Sequence, residues 1–301
     1  MLAWLRRKQN TLITPVLILV IYILAFGLQA SRLGYYLDDW IILNSYSRGG
    51  PLALFYYAFW GNRPLVSWLW LIGFNLFQFN PLAWQIWALL FRWLAVVVLW
   101  LVFRRLWPKA ILQVDLAALL FAVYPLFRQQ SSALTYSFHW ICFFLWGISI
   151  YSMVMAVQRP KRFVLWMSLS VITAAAQLFS QEFFVGLELL RPAVLWLALT
   201  AAGVRGRERV KRAGLAWAPF LLLFAGYLVW RMRFMPTPGV DRNTPGMLYG
   251  LATTPLSTLP KLLVMVVQDS IQILLGTWFE SIQPSLVAVT PISSLAAWGV
   301  A

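Results

Sequence analysis

Long apolar runs separated by short polar stretches fill the chain from Leu12 onward. The clearest runs cover residues 12–30, 64–79, 83–103, 112–127, 138–157, 163–179 and 184–202. Backbone amides in lipid must be satisfied inside their own segment, so this pattern predicts membrane-spanning helices. The expected fold is all-α, a polytopic helical membrane bundle. No internal repeat, low-complexity segment or separate soluble domain interrupts it, so residues 1–301 read as one integral-membrane domain. The closing "AAWGVA" reads as the opening of another span, and a chain cut short at this end is expected.

Composition agrees: 61% of residues are hydrophobic and 11% charged, roughly half the charged fraction of a soluble domain. The net charge of +15 does not imply nucleic acid. The basic residues form short clusters between apolar runs instead of one face, which is the positive-inside pattern, with the lipid bilayer as partner. Arg6, Arg7 and Lys8 precede the first run, which reads as a signal anchor with a cytoplasmic N-terminus. The later clusters are Arg104/Arg105/Lys109, Arg159/Lys161/Arg162 and Arg205/Arg207/Arg209/Lys211/Arg212.

If all clusters are cytoplasmic, an even number of crossings separates each neighbouring pair. Three apolar runs lie between the first two clusters, so one does not cross. The run 64–79 is the shortest, and Trp68 and Trp70 suit an interface. Residues 31–82 then form a long first external loop carrying interfacial helices, with Pro64 in a first helical turn. Shorter external loops are expected near 128–139, 180–182 and 231–243.

The chain has nine Asp and Glu. Asp38 and Asp39 stand side by side at the start of the expected external loop, and Glu182 and Asp241 fall on the same side. An Asp before "WIIL" is a good helix N-cap. Two adjacent carboxylates repel unless a cation or donor compensates, and repulsion makes one of them a better base. Both readings stand, with Asp39 the first choice as base. Glu188 and Arg191 have the spacing of a helix-surface pair. His139, the one histidine, and Cys142, the one cysteine, lie in an apolar run. No zinc-type set, phosphate-binding glycine loop or serine-centred nucleophile elbow is present. No organic cofactor is expected, and paired carboxylates are compatible with a divalent cation near Asp38 and Asp39.

The order of motifs resembles the C-type glycosyltransferases, polytopic enzymes that use polyprenyl-phosphate-linked sugars and include O-mannosyltransferases and aminoarabinose transferases. The matching stretches are "LDDWIIL" (37–43), "NRPLVSWLWLIGFNLFQFNPLAWQ" (62–85), "FRRLW" (103–107), "AALLFAVYPLFRQQ" (117–130) and "LFSQEFFVG" (178–186). They lie within residues 12–190. This chain departs from the pattern at Tyr124-Pro125, His139 and Gln181, where relatives carry His-Pro, an Asp and a Lys.

The resemblance implies an inverting transfer of sugar from a polyprenyl-phosphate donor to a hydroxyl acceptor on a protein, lipid or glycan, at the external face of the plasma membrane. Asp38 and Asp39 would be catalytic. Arg63, Arg128, His139, Glu182, Arg231 and Arg233 would bind substrate, with Arg63 first for the leaving phosphate. Interfacial snorkelling is the plain alternative for Arg63. The competing class is non-catalytic: a transporter or flippase for a lipid-linked sugar, or an inactive transferase-like scaffold. Arg92, Asn75 and Gln177 would be scattered lining residues of a transport path.

Overall fold

A computed structural model describes residues 13–60, 63–125, 131–234 and 246–282. Among these residues every regular element is helical. Six helical stretches are long and apolar enough to cross a membrane: Ile13–Arg32, Pro81–Leu106, Ala133–Gln158, Glu182–Ala201, Gly206–Arg233 and Pro255–Phe279. The chain packs as two units, one within residues 1–123 and 129–233, the other within 124–128 and 234–301.

In the first unit the order is α1 (Ile13–Tyr22), α2 (Asp39–Trp60), α3 (Val66–Phe77), α4 (Pro81–Leu106), α5 (Ile111–Ala122), α6 (Ala133–Gln158), α7 (Phe163–Leu178), a tight 3-10 segment (Glu182–Leu190), α8 (Arg191–Ala201) and α9 (Gly206–Phe234). α4 shows why its bounds fall where they do. The Asn80 side chain accepts the Ala83 N–H at 3.3 Å, Pro81 occupies the first helical position, and Arg104 and Arg105 sit in the last turn against the negative end of the dipole. Among the described residues of the apolar run 112–127, the α-helix extends from Ile111 to Ala122. The run 184–202 begins as the 3-10 segment and becomes α-helical at Arg191.

The segment expected as a first loop is largely helical, as α2 and α3. α2 bends at Gly50, whose φ of 59° and ψ of −152° favour a residue without Cβ, and Pro51 follows. Ile42, Leu54 and Ala58 of α2 share a core with Val66, Trp70 and Phe74 of α3, Trp84 of α4 and Phe138 of α6. Trp68 is exposed, as an interfacial residue should be, but Trp70 is buried edge-on against Phe138 at 5.7 Å. Residues two apart on a helix point about 200° apart, so only one tryptophan can face outward.

α4 and α6 run in the same direction. Gln85 Nε2 donates to the Ser131 carbonyl at 2.7 Å near their starts, and Val102 and Leu106 share a core with Met153, Val154 and Ala156 near their ends. Between these points Gly147 receives Val98. α7 returns antiparallel to α6, with Ser149 and Ser170 each donating its hydroxyl to the other's carbonyl at 2.7 and 2.6 Å. The 182–201 stretch runs back again, and Arg209 Nη1 donates to Thr200 Oγ1 at 2.8 Å beyond its end. The clusters 104–109, 159–162 and 205–212 therefore gather at one end of this unit. Asp39, Arg63, His139 and Glu182 gather at the other.

A Cβ on Gly147 would stand 2.3 Å from Val98 Cγ1. Gly147→Ala is expected to destabilise the α4–α6 crossing by about 1–3 kcal/mol. Val98→Ala in the same chain should restore much of the loss. Detergent-solubilised unfolding midpoints check this, and an unshifted midpoint for Gly147→Ala would refute the close approach.

The residues considered for a transport path do not share an environment. Arg92 is enclosed by the rings of Tyr22, Phe26 and Trp140, at 4.9, 3.8 and 5.1 Å. Gln177 is buried and Asn75 is exposed.

The second unit holds α10 (Gly246–Thr253), α11 (Pro255–Ile271) and α12 (Thr277–Ile282), with a wide helical turn over Gln272–Gly276. The Tyr124 hydroxyl donates to the Ile273 carbonyl within this unit. Asp269 is exposed on α11.

Candidate functional site

The adjacent carboxylates have different surroundings. Leu37, at φ 49°, turns the chain sharply just before them. The backbone carbonyl of Asp38 accepts the N–H groups of Ile41 and Ile42 at 3.1 and 3.3 Å, which puts Asp38 at the N-terminal boundary of α2. Its carboxylate is exposed and has no hydrogen-bond partner among the described residues. Asp39 is fully buried. Its Oδ1 accepts the Thr135 N–H at 2.8 Å and the Thr135 hydroxyl at 2.7 Å, and its Oδ2 accepts the Tyr36 N–H at 3.2 Å.

Thr135 lies in the first turn of α6, where backbone N–H groups have no partner inside the helix. Asp39 therefore caps a helix other than its own. Burial pushes its pKa above the ordinary aspartate value, the Thr135 and Tyr36 hydrogen bonds pull against that rise, and the charge of Asp38 adds to it.

Arg63 and Glu182, distant in sequence, form a bidentate ion pair: Nη2 to Oε1 at 2.7 Å and Nε to Oε2 at 3.0 Å. The Leu65 N–H, donating to the Phe179 carbonyl at 3.3 Å, brings the two segments together. The guanidinium also lies over the Phe183 ring at 5.5 Å. Burial lowers the Arg63 pKa, but the hydrogen bonds and charge of Glu182 more than offset this and leave it raised.

His139 Nε2 lies 2.7 Å from Gln181 Nε2, and its ring stacks between Tyr136 and Phe183 with centroids at 4.9 and 5.4 Å. Arg231 Nη1 donates to the Tyr227 hydroxyl at 2.9 Å, and its charge reaches Glu182. Burial and the charge of Asp38 raise the Tyr57 pKa while the charge of Arg63 lowers it, so the phenol stands in the fields of both groups.

Of the residues expected from sequence, Asp38, Asp39, Arg63, His139, Glu182 and Arg231 meet at this end of the first unit. Arg233 is exposed, two positions past Arg231. Arg128 and Asp241 lie outside the described residues. Sequence reasoning missed Thr135 and Tyr227 as members of the site, and Gln181 entered only as a departure from the family pattern. The "ALTYSFHW" context of Thr135 carries only the signal of a helix start.

Glu188 and Arg191 form a pair, but it is buried and not on a helix surface. The helix spacing was right, but Phe220 of α9 and Met153 of α6 cover the side chains.

No three His, Cys, Asp or Glu side chains converge as a metal-ligand set among the described residues. Both Asp39 oxygens already accept hydrogen bonds, which leaves Asp38 as the open carboxylate of the pair. No family model, curated protein or solved structure matches the chain. The arrangement offers an exposed carboxylate, a half-buried cationic fork and a phenol influenced by both.

Proposed function

We propose that this chain is an integral-membrane glycosyltransferase that moves a sugar from a polyprenyl-phosphate donor to a hydroxyl acceptor with inversion. The observation that carries the reading is the split of the acidic pair at the end of the unit that also holds the Arg63 fork. Asp39 is anchored to α6, so Asp38 is held at the α2 start with its carboxylate exposed. The ordered resemblance to C-type glycosyltransferases supports the same reading.

In this mechanism Asp38, and not Asp39 as expected from sequence, takes the proton of the acceptor hydroxyl, because both Asp39 oxygens already accept hydrogen bonds. The acceptor oxygen attacks sugar C1 from the face opposite the phosphate. The C1–O bond to phosphate breaks, and the electron pair leaves with the lipid phosphate, whose charge Arg63 stabilises. A single displacement inverts the anomeric centre. Placing the three basic clusters in the cytoplasm puts this site on the external face of the plasma membrane and the N-terminus inside.

Proteoliposomes supplied with a labelled polyprenyl-phosphate sugar and a hydroxyl acceptor should yield an inverted glycoside and free polyprenyl phosphate. Arg63→Lys keeps the charge but not the planar fork and should lower turnover by about tenfold. Impermeant thiol labelling of cysteines placed at Ser45 and Lys109, in a Cys142→Ser background, should mark only Ser45 from outside. Absence of transfer with every donor tried, or labelling of Lys109 from outside, would count against the assignment.

A further inference from the structure

Glu182 fills the cationic fork that the proposed reaction requires. Its two oxygens take the Nε and Nη2 donors of Arg63 at 3.0 and 2.7 Å, the same edge that a phosphate would take in a two-pronged contact. The pair is accessible: the Arg63 and Glu182 side chains are 29% and 24% exposed. A second cation stands nearby. Arg231 Nη1 is held by the neutral hydroxyl of Tyr227 at 2.9 Å, and the Tyr227 ring packs edge-on against Phe179 at 5.5 Å, three residues before Glu182; the Arg231 charge also favours the ionised Glu182. Tyr227 is itself buried and fixes Arg231 in place.

An anion arriving at Arg63 with Glu182 still bound would bring two negative groups onto one fork. Moving Glu182 toward Arg231 removes that conflict. One charge-assisted pair is lost and another forms, and the neutral Tyr227 contact is the weaker one to give up. The carboxylate is engaged by Arg63 at hydrogen-bond distance, and Arg231 is the other cation at this end, on the helix that packs against Phe179.

We propose that Glu182 is an internal competitor for the anion site: it occupies the Arg63 fork when no lipid phosphate is bound and exchanges to Arg231 when one arrives. The proposal rests on reading Arg63 as the ligand of the lipid phosphate. It gives the site a device for releasing product. After sugar transfer, Glu182 returns to Arg63 and displaces the polyprenyl phosphate. Tight product binding would otherwise limit turnover.

Farnesyl phosphate serves as probe, with farnesol as the uncharged control, titrated calorimetrically into the detergent-solubilised full chain. Glu182→Gln removes the competitor and should tighten farnesyl phosphate binding by about fivefold, in line with a half-exposed charge pair. Arg231→Gln removes the alternative partner and should weaken binding by about fivefold. In the Glu182→Gln background, Arg231→Gln should have no further effect. Farnesol binding should not change in any variant.

Weaker phosphate binding in Glu182→Gln would overturn the exchange, because Glu182 would then be orienting Arg63 and not competing for it. An equal loss from Arg231→Gln in both backgrounds would also overturn it, by making Arg231 a direct phosphate ligand. Arg63→Gln separates the two ideas: unchanged farnesyl phosphate binding there would remove the phosphate reading of Arg63 itself. Should Glu182→Gln fail to fold, Glu182→Asp shortens the side chain and breaks the two-pronged pair. It should tighten binding by a smaller factor, and a weakening would again overturn the proposal.

Discussion

Asp38→Asn is expected to lower sugar transfer by about 100-fold or more, the usual contribution of a general base, in a protein that folds and binds donor as before. The asparagine keeps the shape of the side chain, and the carboxylate it replaces makes no hydrogen bond to the described residues. Asp39→Asn should behave differently. It retains an oxygen for the Thr135 N–H and hydroxyl and loses only the acceptor facing Tyr36, so α6 stays capped and transfer falls by a smaller factor. Asp39→Ala strands all three donors, at about 1–3 kcal/mol for each that stays buried, and should lower the unfolding midpoint.

The pH dependence follows from the raised Asp39 pKa. The native state holds this proton more tightly than the unfolded chain does. Its contribution to stability is fully present below the ordinary value of 3.8 and is lost as pH rises toward the raised native value. The stability of the wild type relative to D39N should therefore fall as pH rises through that window. A rise over the same window would contradict the buried-carboxylate account. Near-wild-type transfer by Asp38→Asn at matched abundance would remove Asp38 from the chemistry.

The membrane-helix character and the grouping of basic clusters were legible because both follow from local sequence: apolar runs set the helices, and most charges are confined to the stretches between them. The acidic pair was legible as an anomaly, since a chain this apolar has few carboxylates to place together. The partner of Asp39 was not. Thr135 lies 96 residues away, and nothing in a helix start says which distant side chain will cap it. Arg63 and Glu182 were each legible as candidates on one side of the membrane, but their pairing across 119 residues depends on α3 meeting the end of α7. Capping separates the two readings of the pair only when both helices are known. A sequence offers Asp38 or Asp39 to the helix that follows, whereas the fold gives Asp39 to a helix much later in the chain. Trp68 and Trp70 looked alike as interfacial residues, and the helical period that turns one toward Phe138 becomes decisive only once α3 has a neighbour.

Glu188→Gln is expected to be among the most damaging substitutions for the fold, by about 3–5 kcal/mol, because it leaves the Arg191 charge buried without its counter-ion. Arg191 is 0% exposed and Glu188 5%. Arg191 Nη2 donates to Oε1 at 2.8 Å, and its Nε donates to Oε2. The remaining face of the guanidinium is covered by the Phe220 ring at 4.1 Å, and Nη1 points to the Met153 sulfur at 4.0 Å. Neither neighbour replaces a carboxylate, and no water-facing edge allows the cation to relax. Removing both charges is a different experiment. Glu188→Leu with Arg191→Met fills a similar volume without desolvated ions, and such replacements are often neutral or stabilising. The double variant should therefore unfold close to wild type, while Glu188→Gln alone unfolds far below it. Position gives the pair its use: it sits where the 3-10 segment becomes α8, so it fixes the register of the stretch that begins at Glu182. Unfolding midpoints of Glu188→Gln and the double variant, measured in the same detergent as the wild type, decide the matter. Equal destabilisation by Glu188→Gln and by the double replacement would mean that packing volume, and not the stranded charge, governs this part of the core.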